Sequence, residues 1–203
     1  EINSSNILIK SLQESIQNIM NNTKYSNILN HMKIEDVCNL RKGLGIAKPK
    51  RTGGEFPYYG SNGHSSNSYM NKYNIEGKFI LSAEDGSIGS VHYIDDGTKI
   101  WVGDHVHVIT PSVDYLDIKY LYYFLNNNID YNNYTVGAVI PRLNKKTLKN
   151  IGIYIPSLDI QNETLQQINS KEILIQDIKN NIDKAEKQAS DIINILFIQD
   201  TEF

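Results

Sequence analysis

At 203 residues, 40% of them hydrophobic, the chain is long enough to bury a core and to carry a long helical element beside it. Its 20 Lys and Arg against 23 Asp and Glu leave a formal net charge of -3, which excludes a uniformly basic polyanion binder and shifts interest to how charge is distributed. A single cysteine, Cys38, excludes an intrachain disulfide, and with no membrane-length apolar run or signal-peptide pattern a cytoplasmic setting is expected.

The first 22 residues are expected to be helical. Ile9, Leu12, Ile16 and Ile19 step by three and four, which places them on one face, and no Gly or Pro interrupts the stretch. Asn21, Asn22 and Thr23 are expected to end it.

Residues 33–157 differ in texture. All 13 glycines and all five prolines fall here. Short β-rich runs alternate with turn signals, at residues 78–82, 90–94, 100–102 and 106–109. Asp95-Asp96-Gly97-Thr98 is a candidate hairpin turn. Residues 118–126 are expected to form a short helix with Leu121, Phe124 and Leu125 inward. The fold class is therefore α+β: a strand-rich mixed α/β domain, flanked by the leading helix and a long trailing one.

Residues 159–197 return to helical periodicity, with Asp159 as the expected cap and Glu163 near capping-box spacing. Ile178, Ile182, Ala185, Ala189, Ile192 and Leu196 alternate steps of four and three, the seam of a coiled coil, and Leu165, Ile168 and Ile175 extend it upstream after one register slip. A helix of this length spans about 57 Å, more than one small domain needs, so pairing with another helix is expected.

Charge follows the same partition: residues 1–32 are neutral, 33–151 carry +2 and 152–203 carry -5. Within the middle domain Arg41, Lys42, Lys48, Lys50 and Arg51 form one acid-free cluster, and Arg142, Lys145, Lys146 and Lys149 form another. Two such loops on an otherwise neutral domain suit a local phosphate-binding face.

The motifs fall in a particular order. Phe56-Pro57-Tyr58-Tyr59-Gly60-Ser61-Asn62-Gly63 precedes Lys78-Phe79-Ile80-Leu81 and Asp85-Gly86-Ser87-Ile88-Gly89. Asp104-His105-Val106-His107, Tyr120-Leu121-Tyr122-Tyr123-Phe124-Leu125 and Gly137-Ala138-Val139-Ile140-Pro141-Arg142-Leu143-Asn144 follow, and Ile153-Tyr154-Ile155-Pro156 runs into the long helix. This succession resembles the target recognition domain of type I restriction–modification specificity subunits, over residues 33–197. It departs from that pattern at Ala138, where Ser is frequent, and at Ile140, where Gln is common. The resemblance implies two recognition domains on long antiparallel helices. It also implies double-stranded DNA, adenine methyltransferase (M) subunits and a restriction/translocase (R) subunit as partners, with no catalysis in this chain and no cofactor. By that reading residues 1–22 end a preceding conserved helix, 33–157 read DNA, and 159–197 form the conserved helical arm.

The residue chemistry agrees with this. Lys48, Lys50 and Arg51 suit phosphates, as do Lys145 and Lys146 with Arg142 and Asn144 on the second loop. Ser61, Asn62, His64 and Ser65 carry short donors and acceptors suited to base edges, and Tyr58 and Tyr59 suit sugars or turn packing. Gly86 and Gly89 are expected to serve the turn itself.

Two other classes compete with this reading. A metal-dependent nuclease would draw on Glu84, Asp85, His92, Asp104, His105 and His107, the last two on one face of a strand, or on Asp114, Asp117 and Lys119. Against it, no zinc-protease or paired-cysteine framework is present, and Asp117 stands where a helix start favours an acid. The second competitor is a coiled-coil protein-interaction module. The chain has no phosphate-binding loop and no amino-methyltransferase motif.

Overall fold

The computed structural model describes residues 2–25, 28–46, 53–135, 137 and 142–199, and the side chains of these except 24, 25, 28, 29, 65 and 194–199. The chain divides into two compact units, Met20–Asn162, and Glu1–Ile19 with Glu163–Phe203.

The helical unit holds most of α1 (Ile2–Tyr25) and of α5 (Leu158–Gln199). In α1 the expected face is the sheltered one: Ile16 is buried and Ile9, Leu12 and Ile19 are half-buried. The helix runs past Asn21–Asn22 to Tyr25, because Met20 and Thr23 are both buried and packing overrides the weak helix propensity of that stretch. At 42 residues α5 is about 63 Å long. Its first turn is capped not by Asp159 but by Ser157, whose hydroxyl accepts from the Ile160 amide at 3.5 Å while its carbonyl accepts from Gln161 N at 3.0 Å. Pro156 explains the shift: it closes the preceding strand, and the helix starts at the first residue able to turn after it. Ile168 and Ile175 are buried, whereas Ala185, Ala189 and Ile192 are exposed.

The larger unit is built on three sheets. β1 (Ile28–Lys33) pairs antiparallel with β10 (Gly152–Pro156). A four-stranded antiparallel sheet has the order β2-β9-β6-β7, from β2 (Cys38–Lys42), β9 (Val106–Pro111), β6 (Phe79–Ala83) and β7 (Val91–Ile94). The other has the order β4-β3-β8-β5, from β4 (Gly63–Met70), β3 (Phe56–Gly60), β8 (Lys99–Val102) and β5 (Ile75–Glu76). In it β3 and β8 run parallel.

Strand periodicity of two assigns the layers. Phe79 and Leu81 of β6, Ile94 of β7, Val106 and Val108 of β9, and Ile75, Ile100 and Val102 of β5 and β8 form one buried cluster between the two larger sheets. Trp101, facing the other way, packs with Tyr58 and Met70, and its indole N–H donates to the Leu44 carbonyl at 3.0 Å. All five residues of β6 are buried, so the strand is covered on both faces, with Ser82 its one polar member. Its far side meets α3 (Ile118–Asn127), which also packs on β7. Leu121, Phe124 and Leu125 are inward as the periodicity requires.

The expected hairpin at residues 95–98 is a turn, closed by Thr98 N to Asp95 O at 3.3 Å with Gly97 at φ 73°, but it does not join paired strands. It carries the chain from β7 in one sheet to β8 in the other. β7 instead forms a hairpin with the strand before it, β6.

Two short helices, α2 (Ile34–Val37) and α4 (Lys145–Lys149), pack together, joined by Lys149 Nζ to Glu35 Oε2 at 3.4 Å. Gln161 is wholly buried and clamps this end of the unit, accepting from Asp117 N at 2.8 Å and donating at 2.9 Å to each of the Tyr115 and Pro156 carbonyls. Cys38 is buried, which pushes its thiol up to about 12, so it resists thiol reagents in the folded chain.

Candidate nucleic-acid interface

Four chain segments converge at one end of the larger unit. They are the Ser61-Asn62 turn between β3 and β4, the loop from Glu84 to Ser90, the turn from Gly103 to His105, and the segment from Arg142 into α4. Backbone bonds join them: Glu84 N donates to His105 O at 2.9 Å, Leu143 N to Glu84 O at 2.7 Å, and Gly103 N to Tyr59 O at 2.9 Å.

Asp85 is the centre of the cluster. Its Oδ1 accepts from Ser61 Oγ at 3.2 Å, and its Oδ2 accepts from His105 Nδ1 at 2.7 Å and lies 3.6 Å from Arg142 Nη2. The carboxylate side chain is 16% exposed, against 51% for His105 and 53% for Arg142, so an inner acid holds outer heads. Beside it Ser87 Oγ donates to Asn62 Oδ1, and Lys42 is ion-paired with the buried Glu84. Gly86 and Gly89 have φ of 68° and 86°, a conformation that lets the loop turn this tightly.

The sequence-predicted residues divide. Ser61, Asn62 and Arg142 meet in this cluster. His64 is exposed nearby, its Nδ1 donating to Tyr58 O at 3.2 Å and its ring against Tyr59 and Tyr69. Asn144 uses its side-chain oxygen as the cap of α4, accepting from Thr147 N at 2.9 Å. Lys146 is exposed and Lys145 half-buried on that helix, and among the described residues neither makes an ion pair. Tyr58 is corrected: at 6% exposure it belongs to the Trp101 cluster and has no surface to offer a sugar. Tyr59 is half-buried against the main cluster, and burial raises its phenol. Lys48, Lys50, Arg51, Ala138, Ile140 and the Ser65 side chain lie outside the described residues. Sequence reasoning did not pair His105 with Asp85, since the two lie 20 residues apart and no local spacing announces the bond.

The competing metal-site reading finds no support in the geometry. His105 and His107 do not share a strand face: His105 sits in the turn before β9, while His107 is fully buried and its Nε2 donates to Leu143 O at 2.8 Å. No group of three His, Cys, Asp or Glu able to hold a metal occurs among the described residues. Asp117 is the cap of α3, accepting from Lys119 N at 2.7 Å and Tyr120 N at 3.1 Å, which is a helix start and not a nuclease centre.

Burial lowers the pKa of His107 below the ordinary histidine value, aided by Lys42 and Lys145 and opposed by the Leu143 bond and Glu84; burial alone lowers that of His92. For the fully buried His107 the unfolded chain therefore takes up a proton first, as pH falls through about 6.5. That stabilisation is complete above about 6.5 and is lost progressively as pH falls toward the lower folded pKa. Urea unfolding of His107→Gln between pH 8 and 5 is expected to show a shallower acid-side decline than the parent; an unchanged decline would refute this assignment.

The profile of the type I restriction modification DNA specificity domain matches residues 29–188. A protein named as a type I restriction enzyme specificity subunit from Haemophilus influenzae is 34% identical over 132 residues, covering 64% of this chain and 33% of its own length. One named as a type I specificity subunit from Mycoplasma pneumoniae is 24% identical over 160 residues, covering 77% and 43%. Among solved structures, the type I restriction-modification S subunit from M. genitalium superposes with a TM-score of 0.68 at 15% identity, over 90% of this chain and 53% of that one. The HsdS subunit from Thermoanaerobacter tengcongensis gives 0.62 at 14%, over 88% and 48%. The chain thus spans between a third and about half of these relatives. The mixed α+β architecture with its long C-terminal helix is the one these S subunits share, and the matched profile covers most of the chain; this chain belongs to the type I restriction modification DNA specificity domain family.

Proposed function

We propose that this chain reads one half of a bipartite duplex DNA site and presents it to methyltransferase and restriction subunits of a type I system. The observation that carries the reading is the Asp85 cluster: four loops bring exposed polar and cationic heads, His105, Arg142 and Asn62, to one end of the sheet-built unit, with Lys146 following directly on α4. Such a surface can position on phosphates and offer short side chains to base edges. Family membership supports it. The choice of partners is supported by a further solved relative, at a TM-score of 0.62, which belongs to the complex assembly of the type I R-M system. The nuclease alternative lacks a metal group among the described residues.

The helical arm has its own part in this reading. The seam residues Ile178 and Ile182 are only half-buried, Ala185, Ala189 and Ile192 are exposed, and the Leu196 side chain lies outside the described residues. An apolar strip on a polar helix is suited to a second helical arm, in another copy or elsewhere in a full-length subunit. Ile182→Glu with Ile192→Glu is expected to weaken that association at least about tenfold by light scattering across a dilution series, two buried aliphatic contacts being lost. Association unchanged by both substitutions would place the pairing face elsewhere.

The reading as a whole is tested by selection from random duplexes with the purified chain, alone and with a cognate methyltransferase subunit, at two salt concentrations. Enrichment of a short half-site whose affinity falls steeply with salt is expected. No enrichment with the partner present would leave a protein-interaction module as the better account.

A further inference from the structure

We infer that His105 reads a base edge in the bound duplex, and that Asp85 is the positioning residue that presents it; this rests on the DNA-recognition reading above. The chemistry starts from the brace. A carboxylate only accepts, so the 2.7 Å bond to Asp85 Oδ2 puts the proton on His105 Nδ1. In the neutral ring this leaves Nε2 as an acceptor at the outer edge of a half-exposed side chain. Asp104 Oδ2 lies 3.9 Å from the same Nε2, too far for a hydrogen bond but close enough to set a second acceptor beside it. An acceptor at that edge suits the one free N–H of the exocyclic amino group of adenine or cytosine in the major groove.

The ring is also preorganised. Its own carbonyl accepts from Glu84 N at 2.9 Å, and the turn is closed by Val106 N to Gly103 O at 3.3 Å. An ordinary solvated histidine would be free to rotate; this one is held by an inner carboxylate that Ser61 and Arg142 share. Arg142, on the same Oδ2, places a fork of donors next to the acceptor edge, so neighbouring side chains offer opposite polarity to a base-pair edge.

The test is the same duplex selection, run on the full chain, His105→Ala, Asp85→Asn and the double variant, with melting temperature and salt dependence measured for each. Expected is a loss of about tenfold preference for adenine or cytosine at one position in His105→Ala, with melting and salt slope unchanged. Asp85→Asn should weaken preference at that same position, and the double variant should be no worse there than His105→Ala. If His105→Ala selects the parent half-site at every position, the inference is overturned while the recognition reading stands. A uniform loss at all positions with lowered melting would make the cluster a structural clamp and overturn it as well. If the parent chain enriches nothing, the recognition reading fails and the inference falls with it.

Discussion

Gly43→Ala is expected to destabilise the chain by about 3 kcal/mol, at the upper end of overpacking costs, and to lower its melting temperature by about 6–12 °C. A Cβ at residue 43 would overlap the carbonyl oxygens of Gly103 and Val102 and stand 2.6 Å from the Val102 carbonyl carbon. These are all backbone atoms. They cannot swing aside as a side-chain tip could, because the strand they belong to is fixed on both sides. Gly43 N donates to Val106 O at 3.1 Å and Leu44 N to Val102 O at 2.8 Å, so the chain crosses there from the edge of one sheet onto the turn that carries His105. Gly97→Ala is the control. Its Cβ would meet nothing within 4 Å, so only the φ of 73° resists, a cost of about 1–2 kcal/mol. Urea unfolding of the two variants separates close approach from conformational strain. If Gly43→Ala is no more destabilised than Gly97→Ala, the two sheets are not locked at this crossing.

That crossing illustrates which parts of the molecule were legible in the amino-acid sequence. Local signals served well where the physics is local. The 3.6-residue rhythm marked α1, α3 and α5, and the β-rich run at residues 78–82 marked the strand observed at Phe79–Ala83. Asp117 was readable as the acid at a helix start, and the structure adds that its carboxylate caps the amides two and three residues on. Failures occur where partners are distant. Asp95–Thr98 has every property of a hairpin turn, yet β8 finds a better partner in β3, some forty residues upstream, than in β7. Tyr58 looks like a surface aromatic in a Gly-rich turn until the parallel β3–β8 pair sets it beside Trp101. The candidate site lies mostly in this second category. Ser61, Asp85, His105 and Arg142 come from four segments, and only the sheet order makes one carboxylate their common neighbour.

Removing the charges of Lys145 and Lys146 together should weaken duplex binding without altering the preferred half-site. Both lie on α4, immediately after the Arg142–Leu143 segment that is bonded to the Glu84 loop, and neither is neutralised by an acid among the described residues. If each meets one phosphate, each releases about 0.9 of a counterion on binding, so the double alanine variant should lower the slope of log affinity against log salt by about 1.8. The same relation makes each contact worth about eightfold at ~0.1 M salt, and the pair about sixtyfold. Stability should change little. Asn144 caps α4 and buried Leu148 anchors it, and neither depends on the two lysines. This signature differs in kind from that expected of His105→Ala, which alters preference at one base pair and leaves the slope alone. A double lysine variant with unchanged slope would move the phosphate-contacting surface away from α4. A changed half-site with constant slope would mean that these lysines face bases and not phosphates.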